Sequence, residues 1–240
     1  MLYLIGLGLN VDGISTYGLE VAKRCKTVYL ENYTVNFPYS EGELKAVIGK
    51  KVISADREFV EGLKIVDEAS KKDVALLIYG SPLTATTHIS ILQEAKRCGV
   101  KCKVIYSASI LDAVAGTGLQ LYKFGKIASM PKWDKEKKFE PDSFMKIVLE
   151  NSSIHAHSLI LIDIGLDFQD ALNQLEKASE NNKIKLKKLL VCQTLGTKNS
   201  KIFYKEINDL RGYTGVRKPY CIIIPSKLHF VEKEFLKDFE

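Results

Sequence analysis

The stretch Ala75-Leu76-Leu77-Ile78-Tyr79-Gly80-Ser81-Pro82-Leu83-Thr84-Ala85-Thr86-Thr87-His88 decides the fold. It opens as a continuous apolar run of the length and composition of a strand buried on both faces. Gly-Ser-Pro then breaks the run, and a helical pattern over residues 87–98 follows. Two other stretches repeat the plan. Leu2-Tyr3-Leu4-Ile5 runs into Gly6-Leu7-Gly8-Leu9, and Val104-Ile105-Tyr106 runs into Ser107-Ala108-Ser109-Ile110 and small residues as far as Gly116. Short buried strands that end in Gly, Ser and Thr and feed helices mark an open α/β sheet, whose ligand crevice lies outside the carboxyl ends of its strands. Three such tips from one sheet predict a polar small molecule held mainly by backbone groups.

Outward from these runs, the first half predicts strands over residues 2–5, 27–30, 51–54, 74–79 and 101–105. Between them lie helices over 16–25, 40–48, 59–71 and 87–98. Ser15 or Thr16 caps the first helix, and Ser40-Glu41-Gly42-Glu43 fits the capping-box pattern. This alternation is that of a mainly parallel sheet with helices on its faces. The second half differs. A helix over 109–118 bridges two domains, and strands are expected at 128–130, 157–164 (central), 189–193 and 220–225. Helices are expected at 142–151, capped by Asp142 or Ser143, at 168–181 and at 205–210, with a charged loop over 132–141. A boundary near residues 106–116 gives an N-terminal α/β domain of residues 1–110 and a C-terminal α/β domain of residues 111–240. The crevice is expected between the two lobes.

Composition sets the class. The chain has 240 residues, 46% hydrophobic and 27% charged, as in ordinary globular proteins. No apolar run approaches the roughly 18 residues of a membrane span, and no signal peptide is visible at the N-terminus. A soluble cytoplasmic enzyme is expected. Its five cysteines (Cys25, Cys98, Cys102, Cys192 and Cys221) are scattered and odd in number, which reads as reduced thiols. Thirty-five basic against 29 acidic residues give a net charge of +6. The excess gathers in Lys132–Lys138 and Lys183–Lys188, either solvated faces or docking points for an acidic macromolecule. No aromatic spacing of an RNA-binding module accompanies them, so no direct nucleic-acid contact is expected.

Gly6-Leu7-Gly8 invites a dinucleotide fingerprint, but Val11 stands where its third glycine belongs, and the acidic residue would have to be Glu31. The 80–88 loop lacks the Gly-Lys-Ser/Thr ending of a P-loop. Its threonine hydroxyls can bond a ligand or cap the next helix, and His88 either acts chemically or holds the loop. His155 and His157 would share one face of a strand, but two histidines without a third ligand make a poor metal site. Both read as surface residues, and no metal is expected.

Several of these motifs occur together in one known family. Gly80-Ser81-Pro82-Leu83-Thr84-Ala85-Thr86-Thr87-His88, Ala108-Ser109-Ile110 and Gly118-Leu119-Gln120-Leu121-Tyr122-Lys123-Phe124-Gly125 resemble the diphthine synthases. So do the opening Leu2–Leu9, Leu161-Ile162-Asp163-Ile164 and the closing Ile224–His229. The likeness spans nearly the whole chain and is weakest over 167–188. These enzymes are S-adenosyl-L-methionine-dependent methyltransferases of the tetrapyrrole-methylase fold group. The resemblance implies a two-lobed α/β homodimer with the methyl donor in a cleft between the lobes. It implies as substrate the aminocarboxypropyl-histidine of translation elongation factor 2, methylated in diphthamide biosynthesis. By position, the family's donor contacts fall on Leu9, Ser81, Thr84, Ser109, Ile110, Ile162, Leu195 and Tyr220. Ser81 stands where the family commonly has Asp, and Tyr220 where archaeal members often have His. No catalytic base is assigned, with His88 and His229 as candidates. The alternatives are a same-fold methylase of a small tetrapyrrole and a donor-binding protein without turnover.

Overall fold

The apolar runs of the first half pair as a single parallel sheet. In the computed structural model, which describes residues 1–240, they are β1 (Leu2–Gly6), β2 (Thr27–Glu31), β3 (Ile53–Ala55), β4 (Val74–Ile78) and β5 (Cys102–Ile105). Their order is β3-β2-β4-β1-β5, and every pairing is parallel. The connecting helices are α1 (Thr16–Arg24), α2 (Glu41–Ile48), α3 (Arg57–Glu61), α4 (Lys64–Lys71), α5 (Ile89–Arg97) and the short α6 (Ile110–Ala113). Strand alternation splits the core in two. Ile5, Val28, Leu30, Ala75 and Leu77 pack with Val21, Ala22, Leu44 and Ile48 of α1 and α2. Leu2, Leu4, Val74, Leu76 and Ile78 face Val60, Ile65, Val66, Ile91 and Ala95 of α3, α4 and α5.

The caps behave as their side chains dictate. Ser15 accepts the Gly18 N–H, and Ser40 and Glu43 complete a reciprocal box. Asp142 precedes the helix it was expected to begin but makes no side-chain cap bond. The helix expected over 59–71 is two helices. Gly62 closes α3, and Leu63, at φ 64°, turns the chain before α4 begins. Glycine is among the poorest helix formers, so the break falls where helix propensity is lowest.

Two compact units result, Met1–Ala113 and Val114–Glu240. The helix expected over 109–118 is α6 followed by a 3₁₀ turn at Val114–Thr117. The second unit continues with a 3₁₀ turn at Leu121–Lys123, β6 (Ala128–Met130), α7 (Ser143–Ser153), β7 (Ser158–Ile162), α8 (Phe168–Asn181) and β8 (Lys188–Gln193). It ends with β9 (Lys201–Glu206), α9 (Ile207–Arg211), β10 (Tyr220–Ile224), α10 (Phe230–Leu236) and a 3₁₀ turn at Lys237–Phe239. The sheet order is β6-β7-β10-β8-β9, with only β6 and β7 parallel. Its core gathers Met130, Phe144, Ile160, Leu172, Leu175, Val191 and Ile222. Neither β9 nor α10 was expected from the sequence. No helix is long and apolar enough to cross a membrane.

Candidate functional site

Because β4, β1 and β5 are neighbours and parallel, their carboxyl ends share one edge of the first sheet. The three tips meet there. Gly8 and Gly80 exchange backbone bonds, Gly8 N to Gly80 O at 3.1 Å and Gly80 N to Gly8 O at 2.9 Å. Ser107 Oγ donates to Gly13 O at 2.9 Å, and Tyr79 OH donates to Leu9 O at 3.2 Å. Gly6 leaves no room for a side chain, since a Cβ there would lie 2.7 Å from Gly80 O and 3.0 Å from Ser107. Residues Leu9, Ser81, Thr84, Ser109 and Ile110 therefore belong to one cluster of loops.

Inside the central loop, the Pro82 carbonyl accepts from Thr86 Oγ1 at 2.7 Å and from His88 Nδ1 at 2.9 Å. Thr84 N donates to Ser81 O at 3.0 Å. These bonds curl the loop and leave two hydroxyls over. Neither Ser81 nor Thr84 uses its hydroxyl within the protein, although Ser81 is buried. Ser109 is different. Its Oγ donates to Asp112 Oδ2 at 2.9 Å and accepts from Leu111 N at 3.2 Å, so its hydroxyl is spent on opening α6.

The second unit gathers its own three expected residues. Cys221 pairs with Leu161 and Tyr220 with Gln193, so the end of β7, the start of β10 and the end of β8 lie side by side. Ile162 and Tyr220 stand at that end, with Leu195 two residues beyond β8. The Tyr220 hydroxyl donates to Leu166 O at 3.1 Å, and burial raises its pKa, so the phenol stays protonated at neutral pH. A groove with Lys185, Lys187, Lys188, Ser158 and Ser226 on its walls lies at the opposite end of these strands, away from the three residues.

Two polar clusters escaped the sequence reading. At the end of β2, Glu31 shares a face with Tyr29 and points toward the α3–α5 side. Its Oε2 lies 3.6 Å from His88 Nε2, and both side chains are buried. Burial disfavours the imidazolium, but the Glu31 carboxylate outweighs it, and the His88 pKa is raised. His88 thus holds the loop from beneath.

The second cluster corrects the expectation for His157, which is fully buried rather than on the surface. Its Nε2 meets Glu232 Oε1 at 3.1 Å, and its Nδ1 accepts from Ser226 N at 3.0 Å. Glu232 also accepts from Gln120 N at 3.0 Å, His229 N at 2.7 Å and Lys123 Nζ. The Gly118–Gly125 motif is thereby tied to α10. His229 serves as the N-cap of that helix. His155 is exposed, at φ 60°, in the turn after α7 and not on a strand. The sequence signal for both clusters was weak, because each joins residues far apart in the chain.

Residues 1–211 match the model of the Tetrapyrrole (Corrin/Porphyrin) Methylases. The chain is 35% identical to a diphthine synthase of Methanocaldococcus jannaschii, over 99% of this chain and 98% of that protein. It is 43% identical to a diphthine methyl ester synthase of Saccharomyces cerevisiae, over 72% of this chain and 58% of that longer protein. A crystal structure of diphthine synthase superimposes with a TM-score of 0.90 at 30% identity, covering 99% of this chain and 95% of that one.

Proposed function

This chain belongs to the tetrapyrrole methylases, in their diphthine synthase branch, and is a methyltransferase on that footing; we propose that it methylates the aminocarboxypropyl-histidine of translation elongation factor 2, with S-adenosyl-L-methionine as donor. The observation that carries this reading is the joining of the β1 and β4 tips through Gly8 and Gly80 and of the β5 tip through the Ser107–Gly13 bond, with the Ser81 and Thr84 hydroxyls left without protein partners. Such an edge fits a donor with several polar groups. Backbone approaches closely where Gly6 and Gly8 exclude side chains, and two free hydroxyls supply further bonds. Leu9 and Ile110 add apolar surface to the proposed contacts at this edge, and Ser109 adds packing rather than a free hydroxyl. Ile162, Leu195 and Tyr220 of the second unit are proposed as donor contacts on the family resemblance. The chain acts as a homodimer in the cytoplasm in this reading.

The donor, when bound, supplies an activated methyl group that already carries its leaving group. The work left to the protein is to hold an uncharged amine lone pair about 3 Å from that methyl, aligned with the sulfur bond, and to keep water out. No nucleophilic side chain is required, and the amine proton can pass to solvent. That suits a chain whose two candidate bases are committed elsewhere, His88 to the Pro82 carbonyl and His229 to a helix cap.

The test is label transfer. The protein is incubated with methyl-labelled donor and elongation factor 2 bearing the aminocarboxypropyl-histidine, and mass spectrometry counts the methyl units added. Label on that histidine is expected, and its absence beside an active family member refutes the reading.

A further inference from the structure

The Glu31–His88 pair is unusual in how little satisfies it. Both side chains are within 1% of full burial. Neither Glu31 carboxylate oxygen has a hydrogen-bond partner, and the same is true of His88 Nε2 and the neighbouring Tyr33 hydroxyl. A buried carboxylate left alone is strongly disfavoured, and structures keep one where it serves a purpose. Its surroundings show what that purpose is. His88 Nδ1 donates to Pro82 O, so a proton on Nε2 makes the ring an imidazolium facing the carboxylate. Pro82 follows Ser81 directly, and its carbonyl is the hub on which the loop curls.

We propose that Glu31 and His88 are positioning residues, a buried ion pair beneath the Gly80–His88 loop that keeps the loop in its donor-ready shape only while His88 is protonated. The other groups around the ring are compatible with this. Glu61 of α3 adds negative charge, and Thr87 Oγ1 reaches it at 3.5 Å. Arg57 of α3 is drawn over the Tyr33 ring at 5.3 Å and lies 4.0 Å from Glu61. Burial raises the Tyr33 pKa, with Glu31 adding to the effect, so Tyr33 stays neutral and brings no competing charge. The sign follows. The His88 pKa is raised in the folded protein, so the pair is complete below its ordinary value of 6.5 and is lost as pH rises through the raised one.

Hydrogen–deuterium exchange of segment 80–88, corrected for intrinsic rates and followed from pH 6 to pH 9, reads the pair without any ligand. Protection should fall about tenfold as the proton leaves, the equivalent of about one pKa unit of coupling between the ion pair and the loop. Glu31→Gln and His88→Asn should each flatten that dependence. The Asn amide can still donate to Pro82 O, which separates loss of charge from loss of the loop bond. The proposal is overturned if wild-type protection is flat across this range, or if a folded Glu31→Gln protein keeps the same pH dependence. Should one variant fail to fold, the wild-type profile and the other variant still decide.

The link to the donor rests on the function proposed above and has its own readout. Calorimetry with S-adenosyl-L-methionine should show affinity falling about tenfold in either variant at pH 6. Wild-type protein that binds no donor refutes the function but not the pair. Unchanged donor affinity in both variants refutes the pair's role in positioning.

Discussion

Replacing Glu232 by Gln should cost the second unit about 3 kcal/mol at neutral pH. The Glu232 side chain is fully buried yet charged, holding Lys123, His157 and the N–H groups of Gln120 and His229. Although burial opposes the charge, those donors win, and its pKa falls from 4.5 to about 2. A shift of that size is worth about 3 kcal/mol of folding free energy. Glutamine keeps the shape but offers one acceptor and an NH₂ group, and this NH₂ must face a donor. The sign of the pH effect is fixed. A depressed carboxylate pKa contributes stability above the unfolded value of 4.5 and loses it as pH falls toward 2. Urea unfolding of wild type and Glu232→Gln at pH 7, 5, 4 and 3 should therefore show a wide gap that narrows below pH 4.5. A gap under about 0.5 kcal/mol at pH 7, the scatter of ordinary surface substitutions, refutes the reasoning. So does a gap that stays constant down to pH 3.

Three further outcomes are expected. Ser81→Asp should tighten donor binding by about tenfold, because it sets a carboxylate beside a cationic ligand; calorimetry that finds no gain removes the electrostatic explanation. Gly6→Ala places a Cβ 2.7 Å from Gly80 O, so it should separate the tips and abolish donor binding while costing about 1–3 kcal/mol of stability. Tyr220→Phe loses one bond to the Leu166 carbonyl, so a melt should show about 1 kcal/mol of destabilisation with donor affinity unchanged.

What could be seen in the sequence was local. Val74–Ile78 is apolar throughout because both faces of that strand are covered, and Gly80 and Pro82 punctuate its end. Hence the parallel sheet, its order of elements and the edge that carries the tips could be anticipated. The missed elements break the local rules. In α10, Phe230, Val231 and Phe235 are exposed while Glu232 is buried, the inverse of an ordinary amphipathic face. β9 reads Lys-Ile-Phe-Tyr-Lys-Glu with no two-residue alternation, as an edge strand with half-buried faces can. His157 looked like a surface residue because its partner lies 75 positions away. A pattern within one window carries no trace of such a partner, and neither could it pair Glu31 with His88.

The candidate site divides along the same line, with consequences for how it tolerates change. Its shape comes from backbone: the reciprocal bonds of Gly8 and Gly80, the close approach at Gly6 and the Pro82 hub. Side chains at the tips add bonds to a shape already made. A different side chain at position 81 would change the strength of one proposed contact and leave the loops where they are. A methyl at Gly6, which adds no charge and removes no hydrogen bond, moves the loops themselves. Donor affinity should therefore respond more to an alanine at Gly6 than to an alanine at Ser81, although only Ser81 has a functional group to lose.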